Sequence, residues 1–472
     1  MEPEKEKCIE LNKAEYGEIY PLFRFPNAQE AAEAESKRGI LLETLQTFTD
    51  FREEYNGTKY FNRELSPGCR RCGEGTWSCL FINNICNARC MFCPTPQVQQ
   101  DIPATNTLQF PKIPDYIDYI RRFQFQGVSV SGGEPLLTFD RTMSFLTEIK
   151  KRFGTNVYMW MYTNGILLDI EKLIRLKYTG LDEIRFNLGA VDYNPEKVKL
   201  AVGKIPHVTV EIPTLPGDAD TLKNVMLQLA DMGVNYLNLH QLRCTPHNYR
   251  HLVEKGYKFL HGRKITILES ELTALELVRF ALEKKLPLAV NYCSFVYKNR
   301  YQALAPRRRY AVMMRKPVED ITASSYIRCL SIKANSSEAS HWLEKLKQNN
   351  CPPDSYRVDS SKNRLFFNQT LLEFFITGDT PILLGYDEPF ICPHPSFRFP
   401  YLEIPLNAGR KVVLERKPVL VDKELSPTEL QRLRNHWASL AGTGGTRAGS
   451  GLSKEMDIYD FECTRGGLND YY

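Results

Sequence analysis

Short apolar runs alternate with amphipathic stretches over a long central part of the chain. The runs are rich in β-branched and aromatic residues and have the length of buried strands. The stretches between them carry apolar residues at the spacing of helices that pack on a sheet. We predict strands at 77–82, 128–130, 157–161, 183–188, 207–212, 236–240 and 288–292, and helices at 139–153, 170–178, 220–232 and 270–285.

This alternation predicts repeated βαβ units, in which helices connect the parallel strands of one sheet. About seven such units would close, or nearly close, a barrel. We therefore expect an α/β fold with a partial or nearly complete parallel (β/α) barrel at residues 76–295. A parallel α/β barrel carries its chemistry at the carboxyl ends of its strands, so functional residues are expected just after each strand.

The segments on either side of the barrel differ from it in pattern. Residues 1–75 are polar and predict a helical extension. Residues 296–440 combine short strand-like runs with helical segments near 337–348 and 426–429, which predicts a small α+β module. Residues 441–472 begin with a glycine-rich run that cannot bury apolar area, and we expect a disordered tail there.

Composition and charge narrow the function classes. The chain has 472 residues and 43% hydrophobic content, enough for a substantial core. Its 61 basic and 56 acidic residues nearly balance, which does not favour a nucleic acid as partner. The apolar runs are too short for a membrane span, and the charged amino terminus leads into no signal-peptide core. We therefore expect a cytoplasmic protein that does not enter the membrane.

Thirteen cysteines are scattered over the chain, an odd number that fits poorly with a secreted disulfide framework. Three of them, Cys86, Cys90 and Cys93, follow the first predicted strand at C-x₃-C-x₂-C spacing. Thiolates at this spacing can hold three irons of a [4Fe–4S] cluster, and a fourth iron without a cysteine stays open to a small molecule. The alternative is zinc, which would typically require a fourth Cys or His nearby.

A second motif, Gly132-Gly133-Glu134, ends the second predicted strand. Two glycines let the backbone approach a ligand closely, and the carboxylate of Glu134 could bind an ammonium group. The motif taken alone is also compatible with an ordinary turn between a strand and a helix.

With both motifs in this order, the sequence resembles the radical S-adenosylmethionine (SAM) superfamily. Cys86, Cys90 and Cys93 resemble the cysteine motif of that superfamily. The Gly132–Glu134 segment resembles its glycine-rich, methionine-binding motif. The segment Thr163-Asn164-Gly165, at the end of the third predicted strand, resembles the same segment in the branch related to pyruvate formate-lyase activating enzyme. The resemblance covers residues 76–295.

The resemblance implies a barrel that holds a [4Fe–4S] cluster and SAM at its carboxyl end. One electron would split SAM into methionine and a 5′-deoxyadenosyl radical, and the protein would orient the cofactor and shield the radical. The electron would come from a donor such as flavodoxin or ferredoxin. The resemblance places Phe92 against adenine, Asn187 at the ribose or methionine carboxylate, Glu211 at the ribose hydroxyls and Asn164 in the cofactor site. Loop packing for Phe92, and local turn contacts for Asn187 and Glu211, are the alternatives.

Other residues suggest additional roles. Cys69 and Cys72 form a C-x₂-C pair before the first predicted strand, which is half of a metal site; Cys244 and Cys293 are candidate partners, and free thiols are the alternative. His240, at a strand end, could bind substrate or donate a proton, or serve a structural role. Two further strand-end residues, Tyr162 and Tyr292, are candidates to line the substrate cavity.

Two classes of function follow. The first is a radical SAM enzyme that abstracts hydrogen from an unidentified substrate, either a small molecule or a peptide or protein. The second is a non-catalytic zinc or iron–sulfur module that binds nucleic acid through the basic cluster at residues 300–316. A solvated surface is the other interpretation of that cluster.

Overall fold

The computed structural model describes residues 3–97, 102–376, 380–442, 452–453 and 456–468. The chain divides into two compact units, residues 1–302 with 466–472 and residues 303–465. No helix among the described residues is both long and apolar enough to cross a membrane.

The first unit contains, in the described part of the chain, thirteen strands and eleven α-helices. The strands are β1 Phe51–Glu54, β2 Lys59–Asn62, β3 Trp77–Asn83, β4 Ala104–Thr105, β5 Leu108–Gln109, β6 Gly127–Gly132, β7 Tyr158–Thr163, β8 Glu183–Phe186, β9 His207–Pro213, β10 Tyr236–His240, β11 Phe259–Leu260, β12 Thr266–Ile267 and β13 Ala289–Cys293. The helices are α1 Pro3–Tyr16, α2 Ala28–Gln46, α3 Pro67–Glu74, α4 Ile113–Arg122, α5 Phe139–Phe153, α6 Ile170–Thr179, α7 Glu196–Ala201, α8 Ala219–Asp231, α9 Tyr249–Glu254, α10 Leu268–Glu283 and α11 Phe295–Tyr297.

The main sheet has the order β1-β2-β13-β10-β9-β8-β7-β6-β3-β4-β5. The seven strands from β13 to β3 are parallel to one another, as each recorded register shows. Antiparallel strands β2 and β4 pair with the two ends of this run. The predicted α/β barrel class is confirmed in its partial form, and the seven predicted strands and four predicted helices are all present within a few residues of their expected bounds.

Residues 1–75 contribute more to the barrel unit than the expected helical extension. Strand β2 pairs antiparallel with β13, and β1 pairs with β2, so this region extends the main sheet. Helix α3 follows β2 and begins with Ser66, whose side chain caps the helix by accepting from Cys69 N. An ion pair buried at both ends, Arg38 to Glu271 at 2.8 Å, joins α2 to α10. Aromatic Tyr60 and Phe61 on β2 are buried, which explains why this polar region supplies core strands.

The second unit is the expected α+β module. Its described strands are β14 Asp320–Ile321, β15 Ile327–Lys333, β16 Tyr356–Asp359, β17 Arg364–Phe367, β18 Ile382–Cys392, β19 Tyr401–Pro405 and β20 Lys411–Glu424. Its described helices are α12 Leu304–Met314, α13 Ser336–Gln348, α14 Leu372–Ile376, α15 Pro427–Gly442 and α16 Tyr459–Glu462. The sheet is antiparallel, in the order β16-β17-β15-β18-β20-β19, with β14 on β15.

The carboxyl-terminal segment differs from the expected disordered tail. Residues 443–451, 454–455 and 469–472 lie outside the described residues. In the described part, α16 is buried: Ile458 is fully covered, and Glu462 accepts two hydrogen bonds from Arg328. The expectation of disorder is wrong for residues 456–465, because apolar and charged partners of the module enclose this segment.

Some arginines of the basic cluster near 300–316 form hydrogen bonds and ion pairs within the protein. Arg300 donates to the carbonyls of Gly466 and Gly467 within the first unit. In the second unit, Arg307 is 8% exposed and forms an ion pair of 2.7 Å with Glu388. Arginines that already have internal partners offer little to a phosphate backbone.

Candidate active site

A cavity of about 670 Å³ lies at the carboxyl ends of the parallel strands. It is lined by polar and thiol side chains from the barrel strands, the loop after β3 and helix α3. Most of the predicted site residues line it: Cys69, Cys72, Cys86, Cys90, Phe92, Cys93, Gly132, Gly133, Glu134, Tyr162, Asn164, Asn187, Glu211 and His240. The structure therefore brings together residues that lie up to 171 positions apart in sequence, from Cys69 to His240.

Tyr292 is the exception among the predicted residues. Its side chain is fully buried, and its hydroxyl lies 3.4 Å from Glu271 Oε2 on α10, outside the cavity. Its two neighbours on β13, Asn291 and Cys293, do line the cavity. Successive side chains on a strand point to opposite faces, so the prediction that Tyr292 lines the cavity is wrong by one residue.

The three cysteines of the C-x₃-C-x₂-C motif lie on the loop that follows β3. Cys93 N donates to Cys90 O at 3.0 Å, which forms a tight turn between the last two cysteines. The Cys86 thiol accepts from Ala88 N at 3.4 Å and from Asn164 Nδ2 at 3.7 Å. Burial, and then the neighbouring thiols of Cys93 and Cys86, raise the pKa of Cys90 to about 11. The thiols are therefore close enough to interact electrostatically.

In the described residues, no three Cys, His, Asp or Glu side chains are grouped tightly enough to hold a single metal ion. The donor set of the loop is nevertheless three thiols at one edge of a cavity, which is the chemistry that an iron–sulfur cluster requires. Asn187 Oδ1 is buried in the lining and has no hydrogen-bond partner among the described residues, so it can accept from a ligand. The residues present fit a cluster with a small-molecule cofactor beside it.

The two glycines after β6 accommodate the cysteine loop. A Cβ at Gly133 would lie 1.8 Å from Ile85 O, and one at Gly132, where φ is 123°, would lie 2.1 Å from Asn83 O. The backbone of this turn donates to the same loop, from Gly133 N to Asn83 O and from Glu134 N to Ile85 O. Only glycine permits this approach, and the close neighbour that the structure shows is the loop backbone.

Glu134 is 1% exposed and is held by internal donors. Its carboxylate accepts from Leu136 N at 2.9 Å, Thr163 Oγ1 at 2.8 Å and Asn164 N at 2.7 Å. Burial raises the pKa of Glu134, against the lowering effect of these hydrogen bonds. Glu134 thus ties the end of β6 to the end of β7 at the cavity wall.

Phe92 and Asn164 pack around the same loop. Phe92 is 7% exposed, and its ring is so close to Gly189 that a Cβ there would lie 2.8 Å from it. Asn164 Nδ2 donates to Asn87 Oδ1 at 2.8 Å. These contacts link the cysteine loop to the ends of β7 and β8.

The floor of the cavity is a buried charge network that the sequence analysis did not predict as a unit. Arg185 Nη1 donates to Glu211 Oε1 at 2.6 Å, and Arg185 Nε lies 2.8 Å from Glu183 Oε1. Asn238 Nδ2 also donates to Glu211 Oε1, and His240 Nε2 is hydrogen-bonded to Glu211 Oε2. Burial raises the pKa of Glu211, but His240 and then Arg185 outweigh it and hold this pKa well below its usual range. Both oxygens of Glu211 therefore already have partners, unlike the free carboxylate expected at the ribose.

Cys69 and Cys72 also face this region. Cys69 Sγ lies 3.3 Å from Asn238 Nδ2, and burial raises the pKa of Cys72 to about 12. Of the two candidate partners, Cys293 lines the same cavity, whereas Cys244 is buried in a separate apolar cluster with Tyr16. A metal held by Cys69 and Cys72 stays a prediction.

The sequence analysis missed one residue of this floor, Lys59. It stands on β2 in register with Cys293 on β13, which is in turn in register with His240 on β10. Burial raises the pKa of Cys293, but Lys59, Lys298 and His240 outweigh it and lower this pKa to about 6. Lys59 lies in the segment expected to be helical, so no signal in the sequence placed it beside a strand end.

Comparison with known proteins agrees with these motifs. The profile of the radical SAM superfamily matches residues 80–207. A Methanocaldococcus jannaschii protein with the provisional name glycyl-radical enzyme activating enzyme is 31% identical over 305 residues, which are 61% of this chain and 78% of the relative. The GTP 3′,8-cyclase of Aquifex aeolicus is 32% identical over 124 residues, 26% of this chain and 37% of that enzyme. Among solved structures, methylornithine synthase shares 10% identity at a TM-score of 0.33, over 62% of this chain and 85% of that one.

The chain therefore belongs to the radical SAM superfamily. It is an enzyme, and its cofactors are a [4Fe–4S] cluster and SAM. The resemblance to the activating-enzyme branch is confirmed, and the non-catalytic, nucleic-acid-binding alternative is rejected.

Proposed function

We propose that this enzyme cleaves SAM reductively and that a substrate held in the cavity loses a hydrogen atom to the radical formed. The observation that carries the proposal is the cavity itself, which joins three thiols on one loop to a buried polar floor. When bound, the cluster and SAM supply a 5′-deoxyadenosyl radical after one electron is delivered. A donor such as flavodoxin or ferredoxin provides that electron.

The protein's own residues then have distinct tasks. Cys86, Cys90 and Cys93 hold the cluster, and Gly132, Gly133 and Glu134 hold the loop that carries these thiols. Asn187 is assigned to SAM because its buried Oδ1 has no partner among the described residues and lies in the cavity lining.

Three further residues of the lining are assigned by position. Phe92 and Asn164 bind SAM from the wall next to the cysteine loop. Glu211 acts on the floor, where it orients Arg185 and His240. Enclosure by these walls excludes water, which protects a radical from side reactions.

The substrate is a molecule, or one end of a molecule, that fits the part of the cavity of about 670 Å³ that the cluster and SAM leave open. The provisional name of the Methanocaldococcus jannaschii relative supports a protein substrate, whereas the enclosed polar floor supports a small molecule. None of the thirteen cysteines, all of which the structure describes, forms a disulfide, which supports a reducing compartment such as the cytoplasm.

The test is anaerobic reconstitution with iron and sulfide, followed by dithionite and SAM. We expect methionine and 5′-deoxyadenosine in equal amounts by mass spectrometry, together with the visible absorbance of the cluster. Cys90→Ala should lose both, whereas Cys392→Ala, in the second unit, should keep both. Bound zinc without 5′-deoxyadenosine, or a Cys90→Ala variant with full cluster absorbance, would overturn the proposal.

A further inference from the structure

Two lysines on the cavity floor have no carboxylate partner among the residues that the structure describes. Lys59, on β2, is 1% exposed, and its ammonium lies 4.1 Å from the centre of the Tyr297 ring. Lys298 Nζ lies 3.0 Å from His240 Nδ1 and 4.5 Å from the centre of the Phe295 ring. Both lysines line the cavity, and neither forms an ion pair within the part of the chain that the structure describes. A buried ammonium group without a carboxylate partner is costly, so buried Lys59 and half-buried Lys298 together favour an anionic ligand at this place.

The other charges of the floor are already matched. Arg185 is paired with Glu183 and Glu211, and His240 is paired with Glu211. Both lysines lower the pKa of the Cys293 thiol. Cys293 is the direct neighbour of Lys59 across the β2–β13 pair. Lys298 contacts His240, which is in register with Cys293, so both lysines line the same region of the floor. A single thiolate there is a weaker hydrogen-bond acceptor than an oxyanion.

We propose that Lys59 and Lys298 together bind an anionic group of a small-molecule substrate, either a carboxylate or a phosphate. The inference rests on the proposed function, since the anion belongs to the molecule that is presented to the radical. The anionic end sits on the floor, and the rest of the molecule extends through the cavity toward the loop that carries the three cysteines. An uncharged peptide backbone would leave both lysines without a partner.

The experiment measures anion binding to the reconstituted, SAM-loaded enzyme by anaerobic titration calorimetry. One arm uses inorganic phosphate and the other uses malonate, each against chloride of equal ionic strength. We expect saturable binding of one anion per chain in at least one arm, and the arm that binds identifies the group. Lys59→Met and Lys298→Met should each weaken binding at least tenfold, and Lys298→Arg should largely restore it. Lys177→Met, an exposed lysine on α6, is the matched control and should bind as the wild type does.

A second readout reports on the site even if one variant folds poorly. Because an anion on the lysines screens their charge, it should raise the pKa of Cys293 and slow labelling of its peptide by iodoacetamide. Absence of binding in both arms, or equal binding by wild type and both methionine variants, would overturn the inference. The wild-type enzyme separates the two proposals: 5′-deoxyadenosine formation without anion binding defeats only this inference, and anion binding without 5′-deoxyadenosine formation defeats only the proposed function.

Discussion

Arg185 Nη1 donates a hydrogen bond of 2.6 Å to Glu211 Oε1 on the floor of the barrel cavity. The two residues stand on neighbouring parallel strands, β8 and β9, and their side chains are 3% to 10% exposed. A charged pair in so little water is stable only with further partners, which Glu183 and His240 supply. This pair therefore anchors the polar floor on which we place the substrate.

Replacement of Glu211 by Gln should weaken this anchor. The change leaves the buried Arg185 charge with one partner fewer, and we expect a loss of about 3–5 kcal/mol in unfolding free energy. Burial and then Lys298 lower the pKa of His240, whereas Glu211 and a hydrogen bond with Cys293 raise it, so loss of the Glu211 carboxylate should lower this pKa. Urea denaturation and an NMR titration of His240 would measure the two effects.

The free energy of unfolding, measured as a function of pH, should show the contribution of Glu211 directly. Glu211 has a lowered pKa, so it contributes stability above its usual value of 4.5, and that contribution disappears as the pH falls toward its folded value. Glu211→Gln should therefore flatten the acid limb of the stability profile. Glu148→Gln, in a solvent-screened ion pair with Arg152 on the surface, should change it far less. An unaltered acid limb in Glu211→Gln would contradict the assignment.

Cys293 should be reactive as a thiolate near neutral pH. Its pKa of about 6 means that the thiolate persists above this pH and is lost as the pH falls through it. Peptide-mapped iodoacetamide labelling should give a rate for Cys293 that is half-maximal near pH 6, while Cys72, with a pKa of about 12, stays unlabelled. Labelling of Cys293 that rises only above pH 8 would show that the lysines do not stabilise its thiolate.

Gly133→Ala should disrupt the cysteine loop. A methyl group there would lie 1.8 Å from Ile85 O, so either the loop or the end of β6 must move. We expect a large fall in bound iron and in 5′-deoxyadenosine formation. Gly39→Ala is the control, because a Cβ at Gly39 on α2 meets nothing within 4 Å, and iron content should be unchanged. Full iron content in Gly133→Ala would contradict the role of the glycine.

Tyr292→Phe should leave activity unchanged, because Tyr292 faces α10 and not the cavity. Loss of the 3.4 Å hydroxyl contact with Glu271 should cost about 1 kcal/mol or less. In contrast, Arg38→Met should cost about 3–5 kcal/mol, because it leaves Glu271 buried without its cation. Thermal unfolding of both variants would test this order, and reversal of the order would contradict the assigned partners.

Much of the fold could be predicted because its signals are local. The period of apolar residues in each segment distinguishes a strand from a helix, and the predicted strand at 236–240 agrees fully with β10. Strands β1 and β2 were not predicted, because a four-residue strand in a polar region leaves almost no periodic signal. Tyr292 was misplaced for a related reason: a register error of one residue exchanges the two faces of a strand.

The residues of the candidate site also divide into those that a local sequence pattern predicts and those that only folding brings together. The cysteine motif, the glycine motif and the class of chemistry can be predicted from the amino-acid order alone, because those residues are neighbours along the chain and their spacing fixes their geometry. The cavity floor forms only when the chain folds, since Lys59, Glu211 and Cys293 meet there from positions more than 80 residues apart. No local pattern encodes such a meeting, since strand order and register bring the three side chains together and set which charges remain unpaired.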